Sequence, residues 1–238
     1  MMIIFMWSGP RNLSTALMRS FENRDDTEIL DEPFYAYYLD KTNLRHPMYK
    51  EIINSYPKNE NTIIKDLFNI PNNSEIYYQK HMTHHLLDIS NLEWLNKGKN
   101  CFLIRHPAKV INSYIKKNEI KNIKDLGFEK QYEIFSLVKN KLDTNPIVVN
   151  ADDILKDPKK IITLLCDKLK IKYTNKMIDW PLGSRKSDGI WGDVWYENVK
   201  KSSTFIKYKE VNLEVPKKYQ ELYLECLKIY NLMNKFAI

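Results

Sequence analysis

FMWSGPRNLSTALMRSF, residues 5–21, leaves an apolar run, breaks into Ser-Gly-Pro-Arg-Asn-Leu-Ser-Thr and resumes with helix-like spacing. Residues 2–7 form a compact apolar stretch of the kind that makes a buried strand, and residues 14–23 carry Leu17, Met18 and Phe21 at helical spacing. The break thus falls between the end of a strand and the start of a helix. Backbone N–H groups at such a helix start, with the positive end of the helix dipole, attract anions. Arg11 adds a full charge, and Ser14 and Thr15 add hydroxyl donors. The plainer alternative is a Ser or Thr cap, with Pro10 stiffening an ordinary turn. A Walker A loop, GxxxxGK[ST], is absent, because no Lys precedes Ser14 or Thr15 and Leu13 stands where the second Gly belongs. That disfavours a magnesium-dependent kinase or NTPase.

Working outward, strand and helix signals alternate. Short apolar runs recur at residues 28–30, 75–80 (EIYYQK), 100–105 (NCFLIR) and 146–150 (PIVVN), each suited to a buried parallel strand. Helices are predicted between them. One spans residues 108–117 after Pro107, and one spans 128–142 with Tyr132, Phe135 and Val138 on one face. Another covers 157–170, opening with Asp157 as cap and Pro158 in the first turn, and a long amphipathic helix covers 216–236. This alternation predicts an α/β fold, one domain over residues 1–238, with a central parallel sheet flanked by helices. Such sheets bind ligands at the carboxyl ends of their strands.

The whole chain agrees with that reading. Its 238 residues, 43% of them apolar, suffice for one sizeable core. The net charge of +7 is scattered among acids rather than gathered into a stripe, so nucleic acid is not expected, and the basic balance equally suits a small polyanionic ligand without deciding the matter. Cys101, Cys166 and Cys226 lie far apart, as expected of reduced, buried thiols. The apolar opening is too short for a secretory signal and no stretch has the length of a membrane span, so a cytoplasmic protein is expected. His81, His84 and His85 have helical spacing but no fitting carboxylate partner or HExxH pattern, and no metal site is expected.

Three segments together resemble the sulfotransferase family. In the first, Pro10, Arg11, Ser14 and Thr15 match the loop that binds the 5'-phosphosulfate of 3'-phosphoadenosine 5'-phosphosulfate (PAPS), with Asn12 and Leu13 replacing the usual Ser-Gly. Losing that Gly restricts how closely a backbone wraps a phosphate. In the second, CFLIRHPAKVINSY is similar to the 3'-phosphate segment, with Arg105 ending a strand and Ser113 eight residues on. A strand-end guanidinium offers a fork for phosphate oxygens, although Arg105 could instead pair with a carboxylate. The third, residues 153–170, resembles the family's late strand-loop-helix and bears on fold more than chemistry. Near the end, WGDVWYENVKKSSTF occupies the place of a loop closing over the nucleotide, with Trp191, Lys200, Ser203 and Thr204 as candidates.

The resemblance implies transfer of a sulfuryl group from PAPS to a hydroxyl or amine of a small acceptor, without a metal. It implies Glu32, in ILDEPFYAYYL, as the base, with Asp31 as the fallback and a Glu capping a turn before Pro33 as the structural alternative. Lys80 is expected to face the bridging oxygen of the leaving phosphate, and His81 is an offset candidate base. Tyr35, Tyr37, Tyr38 and residues 46–57 are expected to build the acceptor pocket. Two other readings stay open: a P-loop kinase-like phosphotransferase using ATP and magnesium, and a non-catalytic nucleotide-binding relative. The acceptor's identity and the oligomeric state are not legible.

Overall fold

The computed structural model describes residues 1–71, 74–87, 92–142, 145–210 and 213–238. Its centre is a five-stranded sheet in the order β2-β3-β1-β4-β5, with every neighbouring pair parallel. The strands are β1 (Met2–Ser8), β2 (Thr27–Asp31), β3 (Ile76–Met82), β4 (Lys99–Ile104) and β5 (Ile147–Asn150). Each falls within two residues of its predicted run. β1 is central because both of its faces are apolar: Phe5 and Trp7 enter one core cluster, Ile4 and Met6 the other, and all four are fully buried. Burying each such side chain contributes roughly 1.5–3 kcal/mol, which no edge strand would recover on both faces.

The chain goes to β3 on one side of β1 and to β4 on the other, so the strand order diverges at β1. That switch point leaves a crevice beyond the carboxyl ends of β1 and β4. Helices α1 (Ser14–Glu22), α2 (Tyr35–Thr42), α3 (Tyr49–Ser55), α4 (Glu60–Asp66), α5 (Pro107–Tyr114), α6 (Phe128–Lys141), α7 (Ala151–Lys156) and α8 (Pro158–Leu169) follow in turn. The short helices α9 (Gly192–Trp195) and α10 (Glu197–Lys200) precede the closing α11 (Gln220–Asn234). The predicted cap of α8 is present, with Asp157 accepting from the Lys160 amide and Pro158 at the helix start. α11 begins later than predicted because a 3-10 turn, Lys217–Tyr219, follows Pro216. The three cysteines are buried and free. Among the described residues no helix is long and apolar enough to cross a membrane.

Candidate functional site

The loop from β1 to α1 is shaped by two left-handed residues that are not glycine: Arg11 at φ 64° and Leu13 at φ 72°. Leu13 is the cap of α1 and provides no side-chain cap bond. The loop therefore keeps the turn a Gly would make easily, at a cost of about 1–2 kcal/mol per left-handed residue. Strain of this kind persists where surrounding contacts enforce it. Here the Asn12 amide donates to the Leu103 carbonyl at 3.3 Å, and Arg105 Nη1 donates to the Arg11 carbonyl at 2.9 Å. Gly9 is needed for a different reason: a Cβ there would lie 2.5 Å from the Leu126 carbonyl oxygen.

These contacts gather the first two candidate segments into one cleft of about 860 Å³. Arg11 Nε donates to Ser113 Oγ at 2.9 Å, joining positions 102 apart in the chain. Asn12, Leu13, Ser14, Thr15 and Arg105 also line the cleft. Its described lining has six cations, Arg11, Arg105, Lys109, Lys116, Lys207 and Lys209, against one carboxylate, Asp152. Burial, and then the neighbouring Arg105 charge, lower the proton affinity of Arg11 from its usual value. Two guanidiniums held close beside an uncapped helix start can receive a multiply charged anion. Arg105 does meet a carboxylate, but loosely, its Nε lying 3.6 Å from Asp152 Oδ1, while Lys109 Nζ takes Asp152 Oδ2 at 3.0 Å.

A second cluster lies at the carboxyl ends of β2 and β3. The register pairs Asp31 with Lys80, which places the Lys80 ammonium 3.0 Å from Asp31 Oδ1 and 2.5 Å from Glu32 Oε1. Tyr196 brings its hydroxyl into the same group. Asp31 accepts from Lys80, the Tyr196 hydroxyl at 2.7 Å, Trp191 Nε1 at 3.1 Å and the Gly189 amide at 3.2 Å. Its oxygens are fully engaged. Glu32 shares Oε1 with Lys80, and its Oε2 lies 3.8 Å from His85 Nδ1. Burial, reinforced by the adjacent Asp31, raises the Glu32 pKa above the usual carboxylate range despite the opposing Lys80 charge. Glu32 is also left-handed, at φ 45°, with its amide on the Lys80 carbonyl at 2.9 Å and its carbonyl accepting from the Tyr35 amide at 3.0 Å.

Several predicted residues stand away from the cleft. Pro10 holds the turn but is not part of the wall. Lys80, expected to face a leaving phosphate, is 1% exposed and locked to Asp31, Glu32 and Tyr196. His81 follows it in β3, so strand alternation sends it to the opposite face of the sheet. There its ring lies 4.4 Å from that of Trp7, and burial pushes its pKa down to about 3. Trp191 is buried beside Asp31 because a large indole gains more from the core than from the rim. Lys200 pairs with Asp193 at 2.7 Å, and Ser203 gives its carbonyl to the Trp180 amide. Of that late group only Thr204 lines the cleft.

Sequence reading missed Tyr196, Lys109, Asp152 and the Lys207-Tyr208-Lys209 run. Lys109 carried a readable signal, four residues after Arg105 in the first turn of the helix that follows it. So did the run, a tyrosine between lysines, whose Tyr208 ring lies 4.5 Å from Lys109 Nζ. On the expected acceptor side, Tyr35 donates or accepts at His46 Nδ1 (2.8 Å), receives Trp195 Nε1 (3.3 Å) and stacks on His85 at 4.6 Å. Tyr38 stacks on His85 as well, whereas Tyr37 packs into the core beside Phe34. Among the described residues no group of His, Cys, Asp and Glu is gathered as metal ligands would be.

The family model described as "Sulfotransferase domain" matches residues 1–237. Two Arabidopsis thaliana proteins named branched-chain-amino-acid aminotransferase-like protein 2 and protein 1 are each 32% identical, over 98% and 97% of this chain. The chain spans about two fifths of those relatives, 41% of each. Solved structures share the fold at low identity. The sulfotransferase domain of the Synechococcus PCC 7002 olefin synthase has a TM-score of 0.59 and 17% identity, covering 96% of this chain and 94% of that one. A sulfotransferase from Alicyclobacillus acidocaldarius has a TM-score of 0.57 and 8% identity, covering 99% and 96%.

Proposed function

The chain belongs to the sulfotransferase domain family, and on that premise we propose that it moves a sulfuryl group from PAPS to a hydroxyl or amine of a small acceptor. One observation carries the choice of donor: Arg11, Ser113 and Arg105 meet at the uncapped start of α1, in a cleft with five more cations than carboxylates. A nucleotide with charge at both its 3' and 5' ends fits that receptor. When bound, PAPS supplies the sulfuryl group and leaves as adenosine 3',5'-bisphosphate.

The chain's own residues divide the remaining work. The amides at the start of α1 and Arg11 hold the 5' anion and favour charge developing there. Arg105 and Ser113 hold the 3'-phosphate, with Lys109 beside them. Glu32 takes the acceptor proton on Oε2, its raised proton affinity suiting it to that task. Asp31 is unsuited, because donors already occupy its oxygens. Lys80 is the counter-charge that keeps two buried carboxylates compatible, not a group that reaches the donor. The aromatic side chains Tyr35 and Tyr38, with His46, form the acceptor's surroundings, and burial lowers the His46 pKa. The cytoplasm, where PAPS and reduced thiols coexist, is the proposed location.

Thermal unfolding with adenosine 3',5'-bisphosphate and with ADP, each with and without magnesium, tests the donor. Saturating bisphosphate at a hundred times its Kd should stabilise the fold by about 2.7 kcal/mol without metal. Preference for ADP with magnesium would move the chain to the phosphotransferase reading, and no response to either would favour a non-catalytic relative.

A further inference from the structure

Tyr196 stands at the junction of the two clusters. The residue lines the cleft, whereas its hydroxyl lies inside the buried group around Lys80. The donor count there is closed. A lysine ammonium has three N–H bonds, and Lys80 has three acceptors: Asp31 Oδ1 at 3.0 Å, Glu32 Oε1 at 2.5 Å and Tyr196 Oη at 2.6 Å. The one proton of Tyr196 is shared between Asp31 Oδ2 at 2.7 Å and, more weakly, Glu32 Oε1 at 3.2 Å. Asp31 does not depend on that proton, since Lys80, Trp191 and the Gly189 amide also donate to it. What the hydroxyl supplies is the third direction that fixes the Lys80 ammonium, which in turn fixes Glu32 Oε1, together with its own weaker contact to that oxygen.

We propose that Tyr196 is a positioning residue for Glu32: by completing the acceptor set of Lys80 it holds the Glu32 carboxylate in one orientation, and it ties that orientation to the segment that walls the donor cleft. This rests on Glu32 being the base. The segment is itself anchored from below, with Arg19 of α1 on both oxygens of Asp188 at 2.6 and 2.7 Å. Trp195, adjacent in the chain, donates to the Tyr35 hydroxyl, so the α9 turn touches the donor cleft, the base network and the proposed acceptor side within two residues.

The groups facing Glu32 are Asp31 on β2, Lys80 on β3, His85 in the turn after β3, Tyr35 at the start of α2 and Tyr196 after α9. Lys80 is the cation among them, and His85 is neutral because burial holds its pKa well below the usual value. Removing the Tyr196 hydroxyl withdraws a hydrogen bond that favours ionised Glu32 and loosens the lysine that does the same. Both effects increase its affinity for a proton.

The test needs no acceptor. In the full chain, infrared titration follows the protonated-carboxyl band that Glu32→Gln removes. Tyr196→Phe should raise that band's midpoint by about half a pH unit or more, a threefold change in proton affinity. Calorimetry should find the Kd for adenosine 3',5'-bisphosphate within about threefold of the parent, since the substitution keeps the ring. Trp191→Phe strips a donor shared by Asp31 and the Tyr196 hydroxyl but leaves all three acceptors of Lys80, so its midpoint should move less than half as far. If the Phe variant does not fold, 3-fluorotyrosine at position 196 keeps the hydroxyl, weakens its oxygen as an acceptor and should shift the midpoint in the same direction. An unchanged midpoint in the 196 variants, or equal shifts at 196 and 191, overturns the positioning role alone. Absence of any titrating band that depends on Glu32 overturns the base assignment as well.

Discussion

Among the described residues, the cleft beside β1 and β4 sets six cations against one carboxylate, whereas the network at the ends of β2 and β3 closes two carboxylates around one lysine. The first is under-neutralised and open, the second saturated and dry. An unbalanced, solvated charge cluster is built to be completed by a ligand. A saturated buried one has nothing left to offer a ligand except the one carboxylate oxygen that lacks a donor, and that oxygen is Glu32 Oε2. Binding and proton transfer are thus assigned to different regions by how completely their polar groups are already satisfied.

The contrast breaks most severely at Lys80. Lys80→Met leaves Asp31 and Glu32 facing each other without a cation, and removing one partner of a buried ion pair costs about 3–5 kcal/mol. Urea unfolding at neutral pH should show that loss. Glu32 binds its proton more tightly folded than unfolded, so its contribution is greatest in acid and is lost as pH rises through its raised folded pKa. The variant should accordingly recover stability on acidification, and a pH-independent loss would contradict the account of the network. Next, Glu32→Gln should keep bisphosphate affinity while turnover with PAPS and an accepted acceptor falls by at least about a hundredfold; full activity would return the base role to the candidates around it.

The cleft is expected to respond in the opposite way, losing affinity and keeping its fold. Arg105→Ala removes charge-assisted bonds worth about 1.5–3 kcal/mol each, so bisphosphate should bind roughly ten- to a hundredfold more weakly in calorimetry. Unchanged affinity would remove Arg105 from the 3'-phosphate site. Binding to the parent protein should also weaken with added salt, because the cleft is open to screening. The smallest effect is expected at Leu13. Leu13→Gly relieves a left-handed side chain but frees the unfolded chain, and the two terms leave stability within about 1 kcal/mol of the parent. A loss well beyond that would mean the Leu13 side chain itself holds the loop.

Much of this was readable from local pattern. Paired buried runs with helices between them specify a parallel sheet, because apolar periodicity is a local property of the chain. The meeting of Arg11, Ser14, Thr15 and Arg105 in one cleft agrees with their places at strand and helix ends, where backbone dipoles face a crevice. Lys80 and His81 show where the reading was incomplete. A strand sends neighbours to opposite faces, so the two were never able to share one site, and the period of β3 held that information. Leu13 shows the converse: the missing Gly suggested an altered loop, yet contacts from Asn12 and Arg105 enforce the left-handed turn regardless.

The sequence by itself determined the fold class, placed residues 8–15 between a strand and a helix start, and offered the candidate carboxylates. Only the tertiary structure decided which candidates meet. Tyr196 and Asp31 are 165 positions apart, and no spacing rule links them. Arg11 and Ser113 are 102 apart. Local periodicity reports which face of an element is buried, but the partner of a buried polar group is chosen by packing between elements. Once water is excluded each donor must find an acceptor wherever the fold has placed one.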